Sequence, residues 1–321
     1  MTLRLLVLGA GGIGGYFGGR LVESGADVTF LVRPERAAEL AATGLRIRSG
    51  KGDADLAVRT TSVGEVSLAG PFDLVLLTCK AYDLPEAIEA IAPAVTDAGG
   101  VLPLLNGIAH VDLLGERFGR ERVLGGSAKI AVTRAPDGSI RHLNDWSALT
   151  FGEQDGRVSE RVRDLKAAFD RTSVEATISN DVRRDLWLKF VHLHTVAAMT
   201  SLLRANVGEI VRAPHGADLF QALLDTNIEI ARREGYSPDD GFIATYRAMF
   251  AQPDSNYEAS LARDLERGGR IEADHVLGSM LERCRAHGLD DRIHLLAYVA
   301  AKAYEERRAA GRLPGGGSRA V

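Results

Sequence analysis

Gly9-Ala10-Gly11-Gly12-Ile13-Gly14 directly follows the apolar run at residues 3–8, and this order decides the fold. The spacing Gly-x-Gly-x-x-Gly is typical of a dinucleotide-binding turn between a strand and a helix. Such a turn uses glycine for the tight bend, for close approach of the backbone to a pyrophosphate, and for close packing of helix on strand. The pyrophosphate then lies against free N–H groups at the helix N-terminus. The sequence therefore predicts a strand, this turn and a helix over residues 15–24, which Gly25 ends.

The end of the second predicted strand indicates which dinucleotide is bound. Residues 27–32 form this strand, and an NAD-binding unit usually places Asp or Glu after it to bind the ribose 2′-hydroxyl. Arg33 stands there instead, and Asp27 lies at the wrong end of the strand. A guanidinium suits a 2′-phosphate because its planar fork donates charge-assisted hydrogen bonds, and Arg36 adds a second positive charge. NADP(H) is therefore favoured over NAD(H), the alternative being that Arg33 merely caps a surface loop.

Length and composition indicate a soluble two-domain protein. The chain has 321 residues, 45% hydrophobic and 26% charged, with a formal net charge of -4. This charge balance gives no reason to expect a nucleic-acid partner. No apolar stretch looks long enough to cross a bilayer, so no membrane partner and a cytoplasmic location are expected. Cys79 and Cys284 make neither a disulfide framework nor a metal cluster, so we expect two buried thiols and no metal site.

The first 180 residues alternate strand and helix patterns, which is typical of a parallel sheet covered on both faces. Residues 72–78 read as a strand buried on both sides, 81–95 as a helix and 100–105 as the next strand. Further strands are predicted at 124–132 and 139–142, around the turn at 135–138, and at 149–152. We interpret residues 1–180 as a Rossmann-type NADP-binding domain.

The pattern of apolar residues changes after residue 180, where strand-like alternation nearly disappears. Apolar residues recur at spacings of three and four, which predicts helices. The predicted helices cover residues 185–203, 217–234, 239–250, 256–266, 271–287 and 291–308. The fold class is therefore α/β, with an N-terminal Rossmann-type parallel sheet domain followed by an all-helical substrate and catalytic domain at 181–312 and a flexible tail at 313–321.

Lys189 lies in the first helix of the second domain and has an unusual position. On a helix it shares a largely apolar face with Leu186, His192 and Leu193. One reading is a lysine whose stem covers the core while its ammonium reaches water. The other is a partly desolvated ammonium that donates a hydrogen bond or a proton to a substrate oxygen.

At this point the sequence resembles the ketopantoate reductase (2-dehydropantoate 2-reductase) family over nearly its whole length. The motifs that carry the resemblance are the glycine turn with Arg33, Thr78-Cys79-Lys80, Asn106-Gly107, Leu186-Trp187-Leu188-Lys189 and the segment 260–272. The resemblance implies NADPH-dependent reduction of a 2-oxo acid to a 2-hydroxy acid. The named candidate is the conversion of 2-dehydropantoate to pantoate, a step towards pantothenate and coenzyme A.

The resemblance also implies roles for individual residues. Lys189 matches the catalytic lysine that protonates the ketone oxygen, and Glu272 matches the acid that positions the substrate hydroxyl and the lysine. Asn106 matches an asparagine that lies between nicotinamide and substrate. Ser260 matches a serine that contacts the substrate carboxylate, and Lys80 matches a lysine that lies close to cofactor and substrate. Alternatives stay open: Glu272 as a solvated helix residue, Ser260 as an N-cap and Asn106-Gly107 as a simple turn.

The sequence departs from the family pattern in the substrate pocket. The family usually has asparagines four and eight residues after the catalytic lysine, where this chain has Leu193 and Ala197, and Leu105 stands where glutamine is common. Because polar donors matched to a substrate hydroxyl discriminate strongly, their loss changes which substrate is accepted. His192, one turn from Lys189, is the better of two candidates for a replacement polar group, with a core histidine as the alternative. His194 points in another direction on the helix.

Three functions therefore remain open. The first is reduction of 2-dehydropantoate, and the second is reduction of a different 2-oxo acid or ketone. The third is a sensor that binds NADP(H) without catalysis. The intact Lys189 and Glu272 argue against the sensor because it needs no proton donor. The apolar helix faces permit a homodimer.

Overall fold

The computed structural model describes residues 3–313 and divides the chain into two compact units between Leu186 and Trp187. This division falls inside a helix that begins at Val182. The predicted tail lies, apart from Leu313, outside the described residues.

A five-stranded parallel sheet forms the centre of the first unit, as predicted. The strands described in this unit are β1 (Arg4–Leu8), β2 (Asp27–Leu31), β3 (Leu45–Arg48), β4 (Ala54–Leu56), β5 (Arg59–Thr61), β6 (Phe72–Leu77), β7 (Val95–Pro103), β8 (Leu124–Lys129), β9 (Val132–Arg134), β10 (Ile140–His142), β11 (Ala148–Glu153) and β12 (Glu175–Ile178). The central order is β5-β2-β1-β6-β7, with all neighbours parallel. This is the doubly wound arrangement, in which ligands bind at the carboxyl ends of the strands.

The middle strands are apolar on both faces because helices cover both sides of the sheet. Leu5, Leu6 and Val7 are fully buried in β1, and so are Leu74 and Leu76 in β6. The helices of this unit are α1 (Gly12–Glu23), α2 (Pro34–Thr43), α3 (Val66–Ala69), α4 (Leu84–Ile91), α5 (Ala109–Phe118) and α6 (Glu160–Phe169). The predicted helix at 81–95 is shorter than expected, because short 3-10 turns flank α4 and Val95 already begins β7.

Two smaller sheets complete the first unit, in the orders β4-β3-β10-β9 and β12-β11-β8. The predicted turn at residues 135–138 joins β9 to β10 as an antiparallel hairpin. Gly138 has a φ of +79°, which favours glycine, and its N–H donates to the Ala135 carbonyl. The strand predicted at 124–132 is divided into β8 and β9, which belong to different sheets.

Helices make up the second unit, together with the helix that enters it. They are α7 (Val182–Leu203), α8 (Val207–Arg212), α9 (Gly216–Arg233), α10 (Asp240–Met249), α11 (Ser260–Glu266), α12 (Ser279–Ala286) and α13 (Arg292–Ala309). Two predictions were wrong in detail. The helix expected from residue 256 begins at Ser260, and the one expected at 271–287 begins as a π-helix at Ala273–Gly278 before α12. Helix α8 was not predicted because its six residues are too few to show a periodic pattern; the Asn206–Glu209 capping box that begins it was the signal available in the sequence.

Within residues 3–313, α7 is one helix that is long and apolar enough to cross a membrane by length and composition alone. The sequence expectation that no apolar stretch reaches this length was therefore wrong. Of its most apolar window, 67% is buried inside the protein. The buried core helix of a globular protein meets the same criteria, because core and membrane helices are both apolar around most of their surface.

A buried polar cluster links three helices of the second unit. The Asn227 amide on α9 donates to His194 Nδ1 at 3.0 Å and to Thr195 Oγ1 at 2.8 Å on α7. Its carbonyl oxygen lies 2.8 Å from His294 Nε2 on α13. Burial lowers the pKa of His194 well below its usual range and the pKa of His294 to about 4. Both rings are therefore neutral at pH 7, and the cluster fixes how these helices pack.

Candidate active site

Each of the three motif glycines has a separate structural reason. Gly9 has a φ of +93°, a conformation that side chains rarely adopt. A Cβ on Gly14 would lie 2.1 Å from the Gly9 carbonyl oxygen, so only glycine lets α1 pack this closely on the turn. Gly11 is different, because a Cβ there would meet nothing within 4 Å. Its missing side chain leaves open space beside the N-terminus of α1.

This open space fits a pyrophosphate. Gly11 is the N-cap of α1 and supplies no side chain to the free N–H groups of the first turn, which contains no acidic residue. Those N–H groups and the positive end of the helix dipole favour an anion. The backbone of residues 9–14 can thus hold the phosphates of a dinucleotide.

Thr78 at the end of β6 supports the turn from the neighbouring strand. Its hydroxyl donates to the Leu8 carbonyl oxygen at 2.7 Å. The hydroxyl oxygen of Thr78 itself lies 2.4 Å from where a Gly14 Cβ would stand. The motif Thr78-Cys79-Lys80 therefore has a structural function at its first residue, a role that the family resemblance did not reveal.

Cys79 is half-buried and Cys284 is buried, and neither forms a disulfide.

Arg33 and Arg36 have different environments although they lie one turn apart. Arg33 is exposed at the N-cap of α2, directly beyond β2. Arg36 is largely buried, donates to the Ala10 carbonyl oxygen at 3.0 Å and pairs with Glu39 at 2.8 Å. Arg36 therefore supports the glycine turn, and its charge is largely neutralised. Arg33 alone of the two presents its guanidinium to solvent at the carboxyl end of β2.

Lys80 and Asn106 follow the next two strands of the central sheet. Lys80 lies just beyond β6 and Asn106 just beyond β7, and both are half-buried. Gly107 has a φ of +85°, so Asn106-Gly107 does form a turn. This turn places Asn106 at the same edge of the sheet as the glycine motif, because the carboxyl ends of parallel strands all lie at one edge.

Lys189 and Glu272 are brought together in the second unit. Lys189 lies on α7 and is half-buried as a residue. Burial lowers the pKa of its ammonium to about 8, and the nearby charge of Glu272 acts in the opposite direction. At neutral pH the ammonium is charged, yet it gives up its proton more readily than an ordinary lysine.

Glu272 is not a solvated helix residue. It is 7% exposed and precedes the π-helix Ala273–Gly278 as its N-cap. The Val276 N–H donates to the Glu272 carbonyl oxygen at 3.0 Å. Short π-helical turns occur frequently at functional sites, and this one begins directly after the carboxylate that acts on Lys189 and leads into α12.

Ser260 is not an N-cap either. It is the first residue of α11, whose N-cap is Ala259, and it is half-buried. No side-chain hydrogen bond caps this helix. The structure does not use the Ser260 hydroxyl to begin the helix, which is the role that the simplest alternative assigned to it.

His192 lies among aromatic residues that the sequence had not indicated. Its ring stacks on Tyr246 of α10 with centroids 4.5 Å apart, and its Nε2 lies 2.9 Å from the Tyr257 hydroxyl. Burial raises the pKa of Tyr257 to about 12, so this hydroxyl stays neutral. Sequence reasoning missed Tyr246 and Tyr257 because both lie far from residue 192 in the chain. The one local signal was that Tyr257 lies three residues before Ser260.

Comparison with known proteins matches both units to one family. The family model described as "Ketopantoate reductase PanE/ApbA" matches residues 5–156, and its C-terminal counterpart matches residues 181–305. A curated relative, "Uncharacterized oxidoreductase YkpB" of Bacillus subtilis, is 34% identical over 95% of this chain and 100% of its own. The 2-dehydropantoate 2-reductase of Halobacterium salinarum is 28% identical over 89% of this chain and 94% of its own.

Solved structures agree with these matches. A PanE/ApbA family ketopantoate reductase from Ralstonia eutropha superposes with a TM-score of 0.84 at 27% identity, covering 96% of this chain and 100% of that one. A structure described as D-mandelate dehydrogenase with NADH and anilino(oxo)acetate has the same fold, with a TM-score of 0.84 at 18% identity over 96% of this chain and 99% of that one.

Proposed function

Because this chain belongs to the ketopantoate reductase family, we propose that it reduces the ketone of a 2-oxo acid to a hydroxyl with NADPH. Members of this family are oxidoreductases that act on CH–OH groups, use NADH or NADPH and take a small keto acid as substrate. The proposal adds the choice of NADPH and the residues that act. The candidate reaction named by its relatives is 2-dehydropantoate to pantoate, and reduction of a different 2-oxo acid or ketone is the alternative because Leu193 and Ala197 replace the usual asparagines.

The observation that carries the proposal is the Lys189–Glu272 pair. NADPH, when bound, supplies a hydride for the ketone carbon. The ketone oxygen then gains negative charge, which the Lys189 ammonium stabilises and neutralises by transferring its proton. Glu272 favours the charged ammonium and thus keeps the donor protonated at neutral pH. The products are a 2-hydroxy acid, the oxidised cofactor and a neutral Lys189 amine, which takes up a proton from water.

The remaining site residues bind and orient. The backbone of residues 9–14 holds the pyrophosphate, with Gly9, Ala10, Gly11, Gly12, Ile13 and Gly14 forming the turn. Arg33 binds the 2′-phosphate because its exposed guanidinium lies beyond β2. Lys80 and Asn106 hold the nicotinamide side of the cofactor, with Asn106 also reaching the substrate. Ser260 binds the substrate carboxylate, and His192 lines its pocket.

The test is NADPH oxidation by the full-length protein with a panel of 2-oxo acids that includes 2-dehydropantoate, followed by identification of the 2-hydroxy acid formed. We expect NADPH-dependent turnover of at least one 2-oxo acid. Tight NADPH binding without turnover of any carbonyl compound would overturn the proposal and favour an NADP(H) sensor.

A further inference from the structure

An aromatic cluster lies next to the proposed proton donor. We define it as His192 on α7, Tyr246 on α10 and Tyr257 in the segment before α11. The His192 and Tyr246 rings stack at 4.5 Å with an interplanar angle of 22°, and the His192 and Tyr257 rings lie 5.8 Å apart at 17°. The Phe250 ring also stacks on His192, with centroids 6.0 Å apart. The His192 ring is thus nearly parallel to each of these aromatic neighbours.

The position of the cluster relates it to the substrate. His192 follows Lys189 by one helical turn, so both side chains leave the same face of α7. Tyr257 comes three residues before Ser260. The hydrogen-bonded pair of His192 and Tyr257 thus connects the residue proposed at the ketone to the one proposed at the carboxylate. All three residues of the cluster are half-buried, so part of their surface is accessible to a ligand.

Two polar atoms of the cluster are engaged with each other. The Tyr257 hydroxyl and His192 Nε2 share a hydrogen bond of 2.9 Å. Next on the same helix face is Leu193, which is half-buried and apolar, followed one turn later by the buried Ala197. A substrate hydroxyl placed here would leave water without finding an amide partner on this face, and such a loss is unfavourable.

From this arrangement we propose that the substrate is a 2-oxo acid whose group beyond the ketone is apolar, aromatic or branched, and carries no hydroxyl. The inference rests on the proposed function and specifies its substrate class. A flat or branched apolar group gains contact with the ring surfaces and with Leu193. 2-Dehydropantoate has the same branched carbon skeleton but also a terminal hydroxyl, and the loss of water from that hydroxyl offsets the gain from this contact.

A matched pair of substrates tests the proposal. 3,3-Dimethyl-2-oxobutanoate has the carbon skeleton of 2-dehydropantoate without the terminal hydroxyl, and phenylglyoxylate supplies an aromatic group. We expect kcat/KM with NADPH to be about 10- to 100-fold higher for these two acids than for 2-dehydropantoate, which is the range in which an apolar pocket discriminates. A preference for 2-dehydropantoate would overturn the inference while leaving the proposed function intact. Absence of turnover with every 2-oxo acid would instead overturn the proposed function.

Two variants separate substrate contact from a structural role. Leu193→Asn keeps the shape of the side chain but adds an amide, and we expect it to shift the kcat/KM ratio towards 2-dehydropantoate about 10-fold. Tyr257→Ala should lower kcat/KM for phenylglyoxylate about 10-fold or more with NADPH affinity unchanged, whereas Tyr257→Phe retains the ring and should retain most of the activity. If Tyr257→Ala lowers kcat/KM equally for all three substrates, the cluster does not select the substrate. The same follows if Leu193→Asn leaves the ratio of the kcat/KM values unchanged.

Discussion

The glycine turn of the first unit and the lysine site of the second are built in opposite ways. The turn occupies six consecutive residues and acts through its backbone, and each glycine is required by a bend, a close contact or an open space. The lysine site joins Lys189 on α7 to Glu272 before a π-helix, and it acts through side chains whose surroundings set their charge. A backbone site is therefore readable in one stretch of sequence, whereas a side-chain site depends on packing between distant segments.

This contrast predicts which measured quantity each substitution changes. Substitutions in the lysine site should alter the chemical step while leaving cofactor binding intact. Substitutions around the turn should alter cofactor binding while leaving the proton donor intact.

Removing the proposed proton donor should have the largest effect. We expect Lys189→Ala to lower kcat by about 10²–10⁴-fold, the usual contribution of general acid catalysis. The dissociation constant of NADPH, measured by fluorescence titration, should change little. Lys166→Ala is a suitable control, because Lys166 pairs with Asp170 on the surface of α6. Unchanged turnover in Lys189→Ala would remove this lysine from the mechanism.

The two arginines after β2 should affect cofactor binding differently. Arg33→Ala should weaken the binding of NADPH by about 10- to 100-fold, because a hydrogen-bonded charge pair contributes about 1.5–3 kcal/mol. The affinity for NADH should remain nearly unchanged. Arg36→Ala should weaken both cofactors alike, since Arg36 holds the Ala10 carbonyl oxygen. Dissociation constants for both cofactors with both variants give the comparison. Equal loss of NADPH and NADH in Arg33→Ala would show that Arg33 does not bind the 2′-phosphate.

Two glycine substitutions separate packing from ligand approach. Gly14→Ala places a methyl group 2.1 Å from the Gly9 carbonyl oxygen, so we expect a loss of about 1–3 kcal/mol in the free energy of unfolding. Gly11→Ala meets nothing within 4 Å, so its stability should remain within about 1 kcal/mol of the wild type, the cost of a tolerated surface change or less. Because the added methyl group lies where the pyrophosphate approaches, NADPH affinity should still fall. Denaturant unfolding and cofactor titration, performed on both variants, check this pair; equal stability of the two variants would contradict it.

The smallest effect is a shift in pH dependence. The Lys189 pKa is about 8, so the rate of ketone reduction should fall as the pH rises through this value and the ammonium loses its proton. Glu272 opposes the lowering of this pKa, so Glu272→Gln should move the falling limb to lower pH. The measurement is kcat against pH for both proteins. A limb that stays in place would show that Glu272 does not set the charge of Lys189.

The sequence predicted most of the first unit because its signals are local. The glycine turn, the apolar strand β6 and the hairpin at residues 135–138 each depend on neighbours in the chain. The helix predicted at 81–95 was too long, since β-sheet pairing with β6 recruits residues from Val95 onwards. The helix predicted at 271–287 was uninterrupted, and periodicity alone could not show the π-helix at Ala273–Gly278.

For the site residues too, the sequence indicated what depends on local pattern and not what depends on packing. The sequence indicated Lys189, Ser260 and Glu272 through their resemblance to the family, but not that Glu272 is buried beside the lysine or that Ala259 caps the helix of Ser260. It placed His192 one turn from Lys189 but not among Tyr246 and Tyr257. It gave Arg36 as a second positive charge beside Arg33, whereas packing leaves Arg33 exposed and pairs Arg36 with Glu39.

The sequence by itself determined a strand, a glycine turn and a helix, because a tight bend and a close backbone contact exclude every side chain at fixed positions. It also determined the change to helices after residue 180 through the spacing of apolar residues. Only the tertiary structure decided the charge of Lys189, the burial of Glu272 and the aromatic surroundings of His192. Those properties arise from desolvation and from contacts between segments distant in the chain, which no local pattern records.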